Sequence, residues 1–468
     1  MNRRSFKYIL PFTLLFGVVL SCKVTKPYNR PDIGVTGLYR DGQTNDTTTI
    51  AAMPWQKVFA DTILKSLIQE GLNNNLDLKT AVQRILEAQA TLQQSKAAFY
   101  PSLSGNASVT RSKQSSAGLN YPAGTIVNTL TTTYQAGLTT SWEADVWGKL
   151  SSTKRAALAG FLQTDAAKRA VQTQLIADIA NNYFTLLALD KQLEITLQTL
   201  KNRIKDVETM KELKAGAVVT GAAVVQSEAN RYAAEVSIPD LKRSIRETEN
   251  ALDILLSRPP GAVNRGSLAA QNMAAELQAG IPTQLLTNRP DVQQSEFAFR
   301  AAFENTNVAK TYFYPSFTIT ASGGLSTLQL KDFFVNSIFY NIAAGLTQPI
   351  FNQGLNKARL RIAQAQQQEA LNSFQKTLLV AGQEVSNALY AHQTALEKQD
   401  ARSKQIIALQ KSVEYTQELL RYSSATNYTD VLTSEQNLLA AQLSGVNDRL
   451  QELQAVVNLY RALGGGWR

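Results

Sequence analysis

Strict alternation of apolar and polar residues marks four short stretches of the chain. Residues 313–325 read FYPSFTITASGGL. Phe317, Ile319, Ala321, Gly323 and Leu325 fall on one face; Ser316, Thr318, Thr320 and Ser322 fall on the other. A period of two predicts a strand with one apolar and one polar face. Its length suits a strand crossing a bilayer at a tilt, which takes about 9–11 residues. The phrase Phe-Tyr-Pro-Ser also stands at 99–102, and there Leu103, Gly105, Ala107 and Val109 alternate with Ser104, Asn106, Ser108 and Thr110. Each copy has a return strand: Tyr134, Ala136, Leu138, Thr140 and Trp142 against Gln135, Gly137, Thr139 and Ser141, then Tyr340, Ile342, Ala344 and Leu346 against Asn341, Ala343, Gly345 and Thr347. The expected strands lie near 101–111, 132–142, 315–325 and 340–350.

Four strands cannot close a barrel, and lipid tolerates no open sheet edge. Membrane strands would therefore have to be shared between chains. Two copies give eight strands, whose interior side chains just fill; three give twelve, with room for a channel. Taken alone, the strands also fit a soluble sandwich.

The rest of the pattern is helical and very long. Between 123 and 238, and again from 350 to the end, proline is absent. In the second stretch Leu371, Phe374, Leu378, Ala381, Val385, Ala388, His392, Ala395, Gln399, Arg402, Ile406, Leu409, Val413, Thr416 and Leu420 succeed one another by threes and fours, a heptad seam. At 1.5 Å per residue, a helix over 354–422 is about 100 Å long, too long for an ordinary globular core and suited to a coiled-coil tube. Breaks at 215–216 and 423–427 are each followed by a returning helix, and the second keeps the seam in Leu439, Leu443, Val446, Leu450, Leu453, Val457 and Tyr460. Pro239 lies inside the first returning helix and is expected to kink it. Ser227-Glu228-x-Asn230 matches Ser434-Glu435-x-Asn437. The chain thus reads as a duplicated unit, a β-hairpin joined to a long αα-hairpin. The expected divisions are a leader at 1–21, an extended segment at 22–60, a first repeat at 61–258 opening with a helix from Asp61 to about Phe99, a connection at 259–289 and a second repeat at 290–468.

Composition narrows the function. Charged residues make up 18%, against about 25% in an average soluble protein. The net charge of +10 draws on Arg3, Arg4 and Lys7 at the leader; elsewhere the excess is spread, with no basic cluster interleaved with aromatics, which speaks against nucleic acid. One Cys and one His allow no metal cluster, Cys–His pair or Ser-His-Asp triad. Acidic residues mostly sit singly in helical patterns and read as solvated-face residues. No enzyme, cofactor or metal is implied. The leader has a basic start, an apolar run from Tyr8 to Leu20 and the ending Val19-Leu20-Ser21-Cys22. A small residue before the sole cysteine resembles a lipobox, with Val19 in place of the usual Leu, and makes Cys22 the expected lipid-attachment site.

The chain resembles the TolC-like outer-membrane factors of tripartite efflux pumps, in the lipoprotein branch that serves resistance-nodulation-division transporters. The resemblance rests on Trp55, Phe59, Asp61, Leu64, Leu67, Ile68, Asn75, Asp77 and Leu78 as a W-x-x-F…N-x-D-L opening. It rests also on Gly280-Ile281-Pro282, Leu285-Leu286 and Arg289-Pro290-Asp291 between repeats, and on the ending Asn458-Leu459-Tyr460-Arg461-Ala462-Leu463-Gly464-Gly465-Gly466-Trp467. It implies an α+β membrane protein: a homotrimer with a twelve-stranded β-barrel continuing into a periplasmic α-helical barrel. The implied partners are two further copies, outer-membrane lipid, a periplasmic adapter and an inner-membrane transporter; the implied cargo is small molecules. A protein-secretion channel is the alternative within the family, and a periplasmic coiled-coil adapter or structural protein the more remote one. The family's tip is closed by a Y…G…[SN]-Y-x-[DE]-V-L-D pattern, here Tyr422, Ala425, Asn427, Tyr428, Asp430, Val431, Leu432 and Thr433. The resemblance makes Tyr422, Asn427, Tyr428 and Asp430 the gate candidates; Tyr422 and Arg421 on the same hairpin, and Lys211 or Lys214 on the neighbouring one, are the expected partners of Asp430. Ala425 replaces the usual Gly and Thr433 the usual second Asp. Asp430 also reads simply as an acid in the first turn of a helix, where the dipole favours it.

Overall fold

The computed structural model describes residues 24–34, 37–40, 47–118, 128–273, 279–422 and 428–468. The 1–21 leader, Cys22 and Asn427 lie outside the described residues. The chain divides into two compact units. One comprises the residues up to Asp32 with Ile85–Gln163 and Ser295–Ser373; the other comprises Ile33–Arg84, Thr164–Gln294 and Phe374–Arg468.

The first unit carries the sheet: β1 (Ser102–Lys113), β2 (Leu130–Ala144), β3 (Ser316–Thr327) and β4 (Ile338–Thr347), antiparallel in the order β1-β2-β3-β4. The register aligns the apolar positions of all four strands. Ala107 pairs with Ala136, Ala136 with Leu325 and Leu325 with Ile338; the next row runs Gly105, Leu138, Gly323 and Tyr340; the next Leu103, Thr140, Ala321 and Ile342. The other face is polar, as in the row Ser104, Thr139, Ser322 and Asn341. A slip of one residue in any strand would mix the faces. β4 ends at Thr347, short of the expected 350, because Pro349 has no N–H to offer a ladder.

In this unit Ile85–Ala97 of helix α2 (Leu76–Ala97) leads into β1 and Ser295–Thr311 of helix α5 (Pro290–Thr311) leads into β3. Trp142 Nε1 donates to Phe99 O and Trp147 Nε1 to Pro315 O, fixing the turns into β1 and β3. Asp145 accepts from the backbone N–H groups of Leu150 and Ser151 at the head of the next helix, where orphan donors need partners. Residues 24–32 are strapped along α5. Arg30 forms a two-pronged pair with Glu296 at 2.6 Å, Lys26 exchanges backbone hydrogen bonds with the Asn307 amide, and Tyr28 meets Phe299 and Phe303 edge-on.

The long helices are α3 (Lys149–Ala215), α4 (Gly221–Leu256), α6 (Leu355–Tyr422) and α7 (Tyr428–Ala462). α4 holds Pro239 without a break in the helix. In the α6 seam Phe374, Leu378, Ala381, Val385, Ala388 and Ala395 are buried, and in α7 so are Val446, Leu453, Val457 and Tyr460. Gln399 is the exception, exposed although in register. Fully burying one such large side chain stabilises by about 1.5–3 kcal/mol.

The expected single helix from Asp61 to Phe99 is two, α1 (Thr62–Asn74) and α2, and the cause is Asn75. Its amide donates to Leu255 O while its carbonyl oxygen accepts from Leu78 N–H, both at 2.9 Å. A side chain that caps the following turn ends the preceding helix. Asp61 is the N-cap of α1, accepting from Ile63 and Leu64 N–H, and it also accepts from Tyr183 OH and Gln271 Nε2 at 2.7 Å each. Arg289 grips Asp291 with two nitrogens and donates to Ala462 O and Glu384. Trp467 Nε1 donates to Asn288 O. Gly464 turns there at φ +85°, and a Cβ on it would lie 2.4 Å from Asn288 O. The motif residues of the opening, the connection and the C-terminus are therefore structural members of the second unit.

Candidate functional site

Two places can do work. The first is the sheet, whose faces differ in kind. Its apolar face presents Leu103, Tyr340 and Ile342, exposed at 70%, 83% and 72% in the single chain. Its edges, β1 and β4, carry unpaired backbone groups. A sheet with one apolar face and two unpaired edges suits lipid only when other strands complete it. Among the described residues no helix is long and apolar enough to cross a membrane.

The second is the hairpin ends in the other unit. The turn after α3 is closed by Val218 N–H on Leu213 O, with Ala217 in the left-handed region. Here Met210, Val224, Tyr428, Val431 and Leu432 form a small core of their own, with Leu213, Val219, Ala223 and Leu420 against it. All four long helices contribute, so one cluster fastens both hairpins together. Of the gate candidates, Tyr428 is buried in this cluster, and burial pushes its hydroxyl up to about 12. Tyr422 is 85% exposed at the end of α6, and Asp430 is exposed in the first turn of α7. Lys211 pairs with Glu228 at 2.9 Å. The Thr433 hydroxyl donates back to Thr429 O and adds no charge.

Beside this cluster lies a polar group that reading the acids as solvated-face residues missed. Asp206 on α3 is half-buried against Glu435 on α7, with Arg203 and Arg421 near. Burial first, and Glu435 second, push the Asp206 carboxyl up to about 7. Burial also raises Glu435, whose Oε1 accepts from Gln417 Nε2 at 2.9 Å. The available signal was spacing: Arg203, Asp206, Met210 and Leu213 repeat by threes and fours on the inner face of α3.

Residues 67–258 and 281–465 match the family model described as outer membrane efflux protein. The chain belongs to that family. The solvent efflux pump outer membrane protein SrpC of Pseudomonas putida is 30% identical, over 99% of this chain and 98% of its own. The probable outer membrane lipoprotein SilC of Salmonella typhimurium is 27% identical, over 98% of each. The open-state MtrE outer membrane channel of Neisseria gonorrhoeae superposes with a TM-score of 0.83 at 27% identity, over 96% of this chain and 99% of that one. The protein is an efflux channel of the Gram-negative outer membrane, and its four-stranded sheet with long helical hairpins is the fold of such channels.

Proposed function

We propose that three copies join β4 of one to β1 of the next, closing twelve strands into a barrel with the apolar face to lipid and the polar face to a water-filled lumen. The single observation that carries this is the register, which sorts apolar from polar side chains across all four strands while leaving both edges open. Eight strands would leave no lumen. The two repeats, 61–258 and 290–468 about the 259–289 connection, each supply one β-hairpin and one αα-hairpin, and the helices of three chains form a periplasmic tube. The tube receives cargo from an inner-membrane transporter of the resistance-nodulation-division type through a periplasmic adapter. The cargo is small molecules: drugs, toxic compounds or metal ions. Cys22 carries the lipid anchor. The strap along α5 supports this, because it holds Thr25 against Gly148, where a Cβ would meet Thr25 Oγ1 at 3.1 Å, just after β2 leaves the sheet. The hairpin ends form the resting closure, with Tyr422, Tyr428 and Asp430 around it. Native mass spectrometry in detergent tests the assembly. A mass of three chains with acyl groups on Cys22 is expected; one or two chains, or an unmodified N-terminus elsewhere, overturns it.

A further inference from the structure

We propose that Asp206 and Glu435 form a proton-binding site that ties the first helical hairpin to the second and slackens when its proton leaves. The carboxyls belong to α3 and α7 and lie within hydrogen-bonding reach of each other. Ionised carboxylates are acceptors only, so two can bond directly only if one carries a proton. Their surroundings are built. Arg203, Ser227, Asn230 and Tyr428 are each more than nine-tenths buried. Arg203 Nη1 donates to Asn230 O at 2.5 Å, and Gln417 occupies one oxygen of Glu435. Asp206 Oδ2, Arg203 Nε, Asn230 Nδ2, Ser227 Oγ and Tyr428 OH are buried without a sound hydrogen-bond partner in the chain. The last two face each other without closing a well-formed bond. Unpaired buried polar atoms are rare in native proteins, and of these five the carboxylate oxygen Asp206 Oδ2 is the one that a proton satisfies.

The charge balance identifies the occupant. Two carboxylates face Arg203 from α3 and Arg421 from α6; α7 adds Tyr428, and α4 adds the uncharged Ser227 and Asn230. Arg203 already holds a positive charge inside the cluster, which makes a divalent cation a poor occupant. A single proton, shared as in other close carboxyl pairs, satisfies both oxygens. With the proton bound, the pair is a hydrogen bond beside the Met210–Tyr428 cluster. Without it, two like charges confront each other where solvent screening is weak. The folded protein holds a proton that the unfolded chain, at a carboxyl of 3.8, has already lost. The tie is therefore fully present below that value and is lost as pH rises through about 7.

Infrared titration of the full detergent-purified protein tests this directly. One protonated carboxyl per chain is expected to disappear with a midpoint near 7, and Asp206→Asn and Glu435→Gln should each abolish that step. Both variants keep the side-chain shape, and retention of native mass verifies folding. Amide exchange gives a second reading: after correction for intrinsic rate, residues 206–213 and 428–436 should exchange about tenfold faster above the transition, a loss of about 1.4 kcal/mol, and the Asn variant should show no such step. Absence of a titrating carboxyl in the native protein, or its persistence in both variants, overturns the site. Any effect on the pore rests on the function proposed above; the infrared step needs no conduction, so the two can fail separately.

Discussion

Gly137 and Gly324 face each other where the two halves of the chain meet, in the β2–β3 ladder. A Cβ on Gly324 would lie 2.2 Å from the carbonyl oxygen of Ala136 and 2.5 Å from the Gly137 Cα. Backbone against backbone cannot yield as a flexible side chain can. The first hairpin is thus joined to the second at a point that admits no side chain.

Gly324→Ala should therefore lower the yield of folded, membrane-inserted protein by more than half, at a cost of about 1–3 kcal/mol, the scale of overpacking. Gly345→Ala is the control, because nothing lies within 4 Å of a Cβ there. Yield and heat-modifiable gel migration would read the difference. Equal behaviour of the two variants would mean that the ladder relaxes around the added methyl.

Asp61 should show an acid-side dependence of opposite sign to Asp206. Burial pushes its carboxyl up, yet hydrogen bonds from Tyr183, Gln271 and the Ile63 and Leu64 N–H groups outweigh burial and hold it below the usual value. Its contribution is present above the unfolded value of 3.8 and is lost as pH falls through the folded one. Asp61→Ala should cost roughly 2–3 kcal/mol near neutrality, combining a lost cap with charge-assisted bonds. Thermal unfolding across pH should show the gap between variant and wild type narrowing below about 4. A gap that stays constant would assign the effect to packing alone.

The sheet and the seam were legible because each is written in a local period. Thr318, Ile319 and their neighbours keep strict alternation, and Phe374, Leu378 and Val385 keep threes and fours, so burial follows from position. Asn75 was legible as a motif residue and not as a helix break, because its carbonyl acts locally while its amide answers Leu255, far along the chain. Asp206 and Glu435 were illegible for the same reason. Each looks like a solvated acid on its own helix, and only the packing of α3 against α7 makes them one group. The gate reading came from resemblance, and its members separate in the structure: Tyr428 is core, while Tyr422 and Asp430 are surface.

That separation gives a test of the closure. Threefold symmetry would gather three copies of Asp430 near the axis, and Thr433 supplies no second acid. In planar bilayers, Asp430→Ala should raise open probability several-fold and weaken block by cations, because a carboxylate ring attracts them. Unchanged conductance and block would make Asp430 an acid of the helix N-terminus only, with closure resting on Tyr428 and Leu432.

The proposed barrel needs one face of this sheet to line water and the other to meet lipid. Cys22 is the only cysteine, and the acylation proposed for it would leave an introduced cysteine as the one free thiol. Thr320 and Ala321 are adjacent in β3 and lie on opposite faces. Single-channel recording of Thr320→Cys and Ala321→Cys with a charged, membrane-impermeant thiol reagent decides the matter. Stepwise loss of current in three events for Thr320→Cys, with Ala321→Cys unaffected, is the expected result. Block of Ala321→Cys, or of neither variant in a protein of native mass, would contradict it.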